Sequence, residues 1–450
     1  MVREIIIIGA GAAGITAASS ARRTDPDAKI TVFTEDEYVA YSPCVIPWAV
    51  EGKVPWESVV MHPPEYYSKK KNINILTKTK VDSIDDSAKT VTAAGKTYRY
   101  DSIVIAAGAK VFIPPVKGTD LEGVFSVKTL QDGKSIQSYL KNVKSVAVCG
   151  AGVIGLEMAF AFRKMGKEVI VVEMFDQVMP RLADKDIADL LQVYLEEKGI
   201  KFVLKSPVQA INGTGKVCGV TSGNKEYPCE AAVFATGIKA NIDLPKHIGL
   251  DIGRLGGVVV SPTLQPYKRG QPVPDMYLAG DMIQCQSAVI AGPALSQLGS
   301  SAVRQGNVAG MNAAGNKDLY GSVASPWVSV IGEKEIAGTG LSLGLASWYG
   351  IDAVAGKADG LTRARYYPDT KGMTVKLLAE PTTHRIIGAQ MIAGEGVTGR
   401  IDWLTSAIMS GITAEDFLVR SENAYCPPTS MVKDVVIAAA EDLCGKLRAP

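Results

Sequence analysis

Ile5-Ile6-Ile7-Ile8-Gly9-Ala10-Gly11-Ala12-Ala13-Gly14 stands near the N-terminus: an apolar run, a Gly-x-Gly-x-x-Gly turn and the start of an alanine-rich stretch. That order predicts a buried strand (Glu4–Ile8), a tight turn, a helix (Ala12–Arg23) and a second strand (Lys29–Phe33). Such a unit turns backbone N–H groups and the positive end of a helix toward a pyrophosphate. A single match is weak evidence, because glycine-rich turns recur in many βα connections. This chain carries a second. Ser145-Val146-Ala147-Val148-Cys149 leads into Gly150-Ala151-Gly152-Val153-Ile154-Gly155 and another apolar helix pattern. Two copies, each after an apolar strand, predict two dinucleotide sites.

Each unit closes with an apolar strand that ends in glycine: Asp101–Gly108 in the first, Ala231–Gly237 in the second. The pair reads as an internal duplication. Pro114 and Pro115 mark a crossover out of the first unit, a return link is expected near Ala240–Pro245, and Pro274–Asp281, a short strand ended by Gly280-Asp281, belongs again to the first unit. A helix is expected from about Gly292 to Ala314. Beyond Pro326 the texture changes, with paired strands at Met373–Leu378 and Arg385–Ile392 and helices near Gly396–Ser410 and Ser430–Leu443. The expected class is α/β: two Rossmann-like dinucleotide-binding domains, one inserted in the other, plus a C-terminal α+β domain. The expected bounds are 1–111 and 246–325 for the first domain, 112–245 for the second and 326–450 for the third.

The 450 residues exceed what one hydrophobic core organises. A net charge of +2 with 21% charged residues gives no pull toward nucleic acid. No apolar run reaches the roughly 18 residues of a membrane span, and the first strand leaves no room for a leader peptide. The seven cysteines are dispersed, without a C-x-x-C pair, and the three histidines lie far apart, so no metal site is expected. Unpaired thiols fit a reducing, cytoplasmic setting.

Glu173 ends the strand after the second loop, where a carboxylate accepts from ribose hydroxyls and repels a 2′-phosphate, favouring NADH over NADPH. At the matching place in the first unit stand Thr34 and then Glu35, and either could reach the ribose. Glu157, on the second loop's helix, reads as a solvated or capping carboxylate or as a group orienting the nicotinamide. Cys44 lies in Tyr41-Ser42-Pro43-Cys44-Val45-Ile46-Pro47. Ser42 followed by Pro43 has the form of a helix cap with proline in the first turn, which would favour a thiolate at Cys44. The alternative is a buried structural cysteine.

Taken together these residues resemble the FAD-dependent pyridine nucleotide–disulfide oxidoreductases, in the single-cysteine branch. That branch holds coenzyme A disulfide reductases, NAD-dependent persulfide reductases and NADH oxidases. The resemblance implies FAD on Gly9, Gly11, Ala12, Ala13, Gly14, Thr34, Glu35, Ser42, Ala107, Gly108, Gly280 and Asp281. It implies NAD(H) on Gly150, Gly152, Val153, Ile154, Gly155, Glu157, Glu173 and Gly237. It makes Cys44 the redox thiol, with Tyr425 and Tyr367 reaching it from the partner of a homodimer built by the C-terminal domain. Arg22, Arg23 and Lys71 would meet the phosphates of a coenzyme A-linked substrate.

Position 49 is alanine, so the paired thiol of C-x-x-x-x-C relatives is absent, and Ala12 stands where peroxidases of the family carry histidine. Pro43 and Val45 depart from the Asn and Gly that often flank the cysteine in this branch. The reaction implied is hydride transfer from NADH through flavin to Cys44, which reduces a disulfide, persulfide or polysulfide. No rhodanese-like domain is expected to accompany these three domains, so sulfane sulfur is expected to arrive free or on a carrier. Two alternatives stay open: an NADH oxidase or peroxidase cycling a cysteine sulfenate on oxygen or peroxide, and a flavoprotein electron carrier or redox sensor for a protein partner.

Overall fold

The computed structural model describes residues 2–448. The chain divides into two compact units. One comprises the chain up to Phe112, Lys128–Leu130 and Ile238–Val323; the other comprises Ile113–Val127, Gln131–Gly237 and the chain from Ala324 onward.

The first unit is built on a five-stranded parallel sheet in the order Met276–Leu278, Ser102–Ile105, Glu4–Ile8, Lys29–Phe33, Ile73–Leu76. Ile5, Ile7, Val32 and Ile103–Ile105 have no exposed surface, as expected of strands covered on both faces. The helix Ala12–Thr24 packs against the helix Gly299–Ala313, and small residues let the two backbones meet. A Cβ added at Gly306 would lie 2.2 Å from the Ala13 carbonyl oxygen, and one at Gly310 would lie 2.2 Å from that of Ala17. A separate three-stranded antiparallel sheet covers Val81–Arg99. Ala109–Val111 pairs antiparallel with Ile238–Ala240, the stretches by which the chain leaves this unit and returns.

The second unit repeats the plan. Its parallel sheet runs Ile200–Val203, Glu168–Val172, Ser145–Cys149, Ala231–Phe234, Val124–Ser126. A three-stranded antiparallel sheet again intervenes, over Val208–Pro228. The unit also holds an antiparallel sheet of five strands: Trp327–Ile331, Lys334–Gly340, Ile386–Ala393, Gly372–Ala379 and Val354–Leu361. The helices Val397–Met409 and Val435–Leu447 pack on that sheet.

Two helix boundaries differ from expectation. The helix expected from about Gly292 begins at Gly299, because Pro293-Ala294 pairs with Cys285-Gln286 as a short antiparallel ribbon. The helix expected from Ser430 begins at Val435, capped by Asp434, whose carboxylate accepts from the Val436 N–H. Among the described residues no helix is long and apolar enough to cross a membrane.

Candidate nucleotide and thiol sites

In both loops the first and third glycines are consumed by the protein's own packing. Gly9 (φ +104°) and Gly150 (φ +111°) take backbone angles that L side chains rarely adopt. A Cβ at Gly14 would lie 1.8 Å from the Gly9 carbonyl oxygen, and one at Gly155 would lie 2.1 Å from that of Gly150. The middle glycines differ: a Cβ at Gly11 or Gly152 would meet no atom within 4 Å. Gly11 and Gly152 are the N-caps of Ala12–Thr24 and Val153–Lys164, and neither helix has a side-chain cap or an acidic residue in its first turn. Open space before uncapped N–H groups is what a pyrophosphate requires. The residues therefore fit two dinucleotides.

A further parallel was not legible in sequence. The Ala10 carbonyl accepts from the Ala40 N–H at 3.1 Å, and the Ala151 carbonyl accepts from the Met179 N–H at 2.8 Å. Ala40 (φ +54°) and Met179 (φ +50°) are both left-handed. Each glycine loop is thus tied to the chain beyond its second strand.

At the ribose end of the second loop Glu173 is buried. Its Oε2 accepts from the Ala151 N–H at 2.7 Å and its Oε1 from the Phe175 N–H at 3.0 Å. The carboxylate holds the loop and keeps lone pairs for a ribose hydroxyl. In the first unit Thr34 is buried and its hydroxyl accepts from the Asp36 N–H at 3.2 Å, while Glu35 is exposed. Ala107 donates its N–H to the Met282 sulfur, and Gly108 is left-handed. The Gly280 N–H is held by the buried Gln305 Oε1 at 2.8 Å, and the Asp281 carbonyl accepts from Gln297. Burial pushes the Asp281 carboxyl up, against the opposing pull of Lys128 at 3.7 Å. Gln305 escaped sequence reasoning, since nothing local marks its link to residue 280.

Glu157 is not a solvated carboxylate. It is partly buried, and its Oε1 accepts from the hydroxyl of the buried Ser329 at 2.7 Å. Burial pushes its pKa up to about 7, with the Ser329 hydrogen bond opposing. Near it Val153 is half-buried and Ile154 exposed, while Gly237 (φ +103°) borders open space.

Cys44 is exposed, in the three-residue 3₁₀ turn Pro43–Val45 that runs into the helix Ile46–Glu51. The expected cap is half present: Ser42 has the extended backbone of a cap and its carbonyl accepts from Val45, but its side chain caps nothing. Position 49 is a buried alanine.

In the C-terminal part, Tyr425 shares a hydroxyl–hydroxyl hydrogen bond of 2.9 Å with Tyr366, while Tyr367 stacks its ring under the Arg363 guanidinium. The hydroxyl partner of Tyr425 within the chain is thus Tyr366, a residue the sequence reading did not place in the site. The bond from Tyr366 raises the Tyr425 pKa. Cys426 is exposed. Arg22 is held by nearby backbone. It donates to the carbonyls of Lys71, Asp25, Pro26 and Asn72, clamping the end of the first helix rather than offering a free fork to phosphate. Arg23 donates to Ser20 and Asn307, and Lys71 is exposed.

The pyridine nucleotide-disulphide oxidoreductase family matches residues 3–306, and that family's dimerisation domain matches residues 327–435. The chain belongs to this family. It is accordingly an oxidoreductase that uses FAD and NAD(P)H, with a C-terminal dimerisation domain. A relative from Methanocaldococcus jannaschii named NADH oxidase is 42% identical, over 98% of this chain and 99% of its own length. A Pyrococcus horikoshii relative named NAD(P)H coenzyme A polysulfide/persulfide reductase is 32% identical, over 98% of this chain and 99% of its own. Among solved structures, a NAD-dependent persulfide reductase from A. fulgidus superposes with a TM-score of 0.94 at 34% identity, covering 98% of this chain and 83% of that one. Like the family, the chain pairs two nucleotide folds with a dimerisation domain, and its fold class is the one expected from the two glycine loops.

Proposed function

We propose that the protein is an NADH-dependent flavoprotein reductase of small sulfur substrates, a coenzyme A-linked disulfide or persulfide or a polysulfide, acting through Cys44. One observation carries the reading: the exposed Cys44 thiol on a short turn, following a segment tied to the first glycine loop, with alanine where a second thiol would stand. Relatives named as coenzyme A persulfide and sulfur reductases support the substrate class.

FAD bound at the first glycine loop supplies the two-electron chemistry between the nicotinamide and sulfur. Glu173 binds the NADH ribose, and Glu157 with Ile154 lines the nicotinamide. The Cys44 thiolate attacks one sulfur of the substrate S–S bond, so that a mixed disulfide forms and one thiolate leaves. Two electrons from NADH then cleave the mixed disulfide, which returns Cys44 to thiolate and frees the second thiol. Tyr425 of a homodimer partner, hydrogen-bonded to Tyr366, supplies a proton to the leaving sulfur. Arg23 and Lys71 meet the phosphates of a coenzyme A carrier, while Arg22 shapes that corner. The setting is cytoplasmic.

A second reading is an NADH oxidase, supported by the name of the M. jannaschii relative. The two separate in one assay: NADH loss measured anaerobically with coenzyme A disulfide, coenzyme A persulfide and polysulfide, and aerobically without them. The reductase turns over a sulfur acceptor without oxygen. Turnover confined to oxygen overturns the proposal in favour of the oxidase.

A further inference from the structure

The Tyr366–Tyr425 contact poses a physical problem. Both rings are solvent-exposed, Tyr366 by 75% and Tyr425 by 44%, and both sit on irregular backbone between the ordered elements. Within one protomer burial does little to hold them, so their meeting before they reach a partner depends on how the two segments are anchored.

One side chain reaches both anchors. Arg400, on the helix Val397–Met409, places its Nε at 3.0 and 2.9 Å from the two Asp434 oxygens and its Nη2 at 2.7 Å from Oδ2. The same Nη2 donates to the Thr362 carbonyl at 3.2 Å, and Nη1 donates to the Gly396 carbonyl at 2.7 Å. Thr362 opens the segment that carries Tyr366. Asp434 closes the one that carries Tyr425 and caps the helix that follows. The Arg400 and Asp434 side chains are 11% and 5% exposed, so the charge-assisted bonds are shielded from water.

Shorter ties complete the frame. The Ala364 N–H donates to the Pro427 carbonyl at 3.2 Å, and the Ser430 hydroxyl donates to the Ala424 carbonyl at 2.8 Å. The Thr362 hydroxyl donates to Glu395 at 2.7 Å. A planar fork serves Asp434, Thr362 and Gly396 together; a lysine ammonium has three donors, but all on one nitrogen, which does not span the three acceptors as the guanidinium does.

We infer that Arg400 is a positioning residue that sets the Tyr366–Tyr425 hydroxyl pair by fixing Thr362 and Asp434 at the roots of both tyrosine segments. The inference rests on the proposed role of Tyr425 at the leaving sulfur. A displacement of about 1 Å at such a group costs up to about a hundredfold in rate.

The test compares full-length Arg400→Met, Arg400→Lys, Tyr425→Phe and the double variant Arg400→Met/Tyr425→Phe. It measures anaerobic turnover of coenzyme A disulfide, and reduction of ferricyanide by NADH, which does not need the tyrosines. Arg400→Met should lower disulfide turnover at least tenfold and leave ferricyanide reduction unchanged, with partial recovery in Arg400→Lys. The double variant should be no slower than Tyr425→Phe, since both changes remove one function. Losses that multiply in the double variant overturn the inference. So does wild-type disulfide turnover in Arg400→Met beside an impaired Tyr425→Phe. Wild-type turnover in Tyr425→Phe instead contradicts the proposed role of the tyrosine, and the inference falls with it. Should Arg400→Met not fold, Asp434→Asn, which keeps the helix cap acceptor while removing the charge, carries the same comparison.

Discussion

Gly306 lies against Ala13 so closely that a Cβ at 306 would stand 2.2 Å from the Ala13 carbonyl oxygen. This contact seats the helix Gly299–Ala313 on the helix that begins at the first glycine loop. Gly306→Ala must push the helices apart. A loss of about 1–3 kcal/mol is expected, typical of overpacking, with FAD released earlier in a thermal melt followed by flavin fluorescence. An unchanged melting point would show that the crossing relaxes at no cost.

Glu157 makes stability depend on pH. Its carboxyl is raised from the ordinary 4.5 to about 7. Below the unfolded value both states are protonated and nothing is lost. Between about pH 4.5 and 7 the unfolded chain ionises while the folded one does not, so stability falls as pH rises and levels off above 7. The span is about 3 kcal/mol at most. Glu157→Gln should flatten this part of the profile in denaturant unfolding at a series of pH values, and an identical slope in the variant would exclude the carboxyl as its source.

Lys376 sits between two carboxylates, 2.9 Å from Asp184 and 2.8 Å from Asp186, with only 7% of its side chain and that of Asp184 exposed. Lys376→Met strands the buried Asp184 charge and should cost about 3–5 kcal/mol. Adding Asp184→Asn should restore much of the loss, because the amide oxygen can still accept from the Leu343 N–H that Asp184 now serves at 2.8 Å. A double variant as unstable as the single would show that packing, not charge, was lost.

How much of this was legible in the sequence depended on the range of each interaction. The glycine loops, their flanking strands and Cys44 are local patterns, and each lies where its neighbours in sequence place it. Long-range pairings carry no local mark. Ser329 meets Glu157, Gln305 meets Gly280 and Arg400 meets Asp434 only because the fold brings distant segments together. Arg22 shows the converse. A basic residue at a helix end reads as a free cation, but four nearby carbonyls claim it. The helix expected from about Gly292 fails for a third reason, as Pro293-Ala294 joins a short ribbon with Cys285-Gln286 that no local pattern announces.

The two uses of Arg22 separate in a single variant. As a clamp on the Asp25, Pro26, Lys71 and Asn72 carbonyls, Arg22→Ala should lower stability by about 1–2 kcal/mol and leave the KM for a coenzyme A substrate within about twofold. A large rise in KM with an unchanged melting point would return it to phosphate binding.

The central claim is that Cys44 exchanges electrons with the flavin and sulfur with the substrate. Its most direct test starts from holoenzyme whose Cys44 has been converted to the mixed disulfide with coenzyme A disulfide, so that one equivalent of NADH, added anaerobically, frees the thiolate beside oxidised flavin, with spectra recorded for wild type and Cys44→Ser. The wild type should develop a long-wavelength thiolate-to-flavin absorption band that coenzyme A disulfide discharges, and the serine variant should show neither the band nor sulfur turnover. A variant that keeps both would contradict the assignment of Cys44 as the redox thiol.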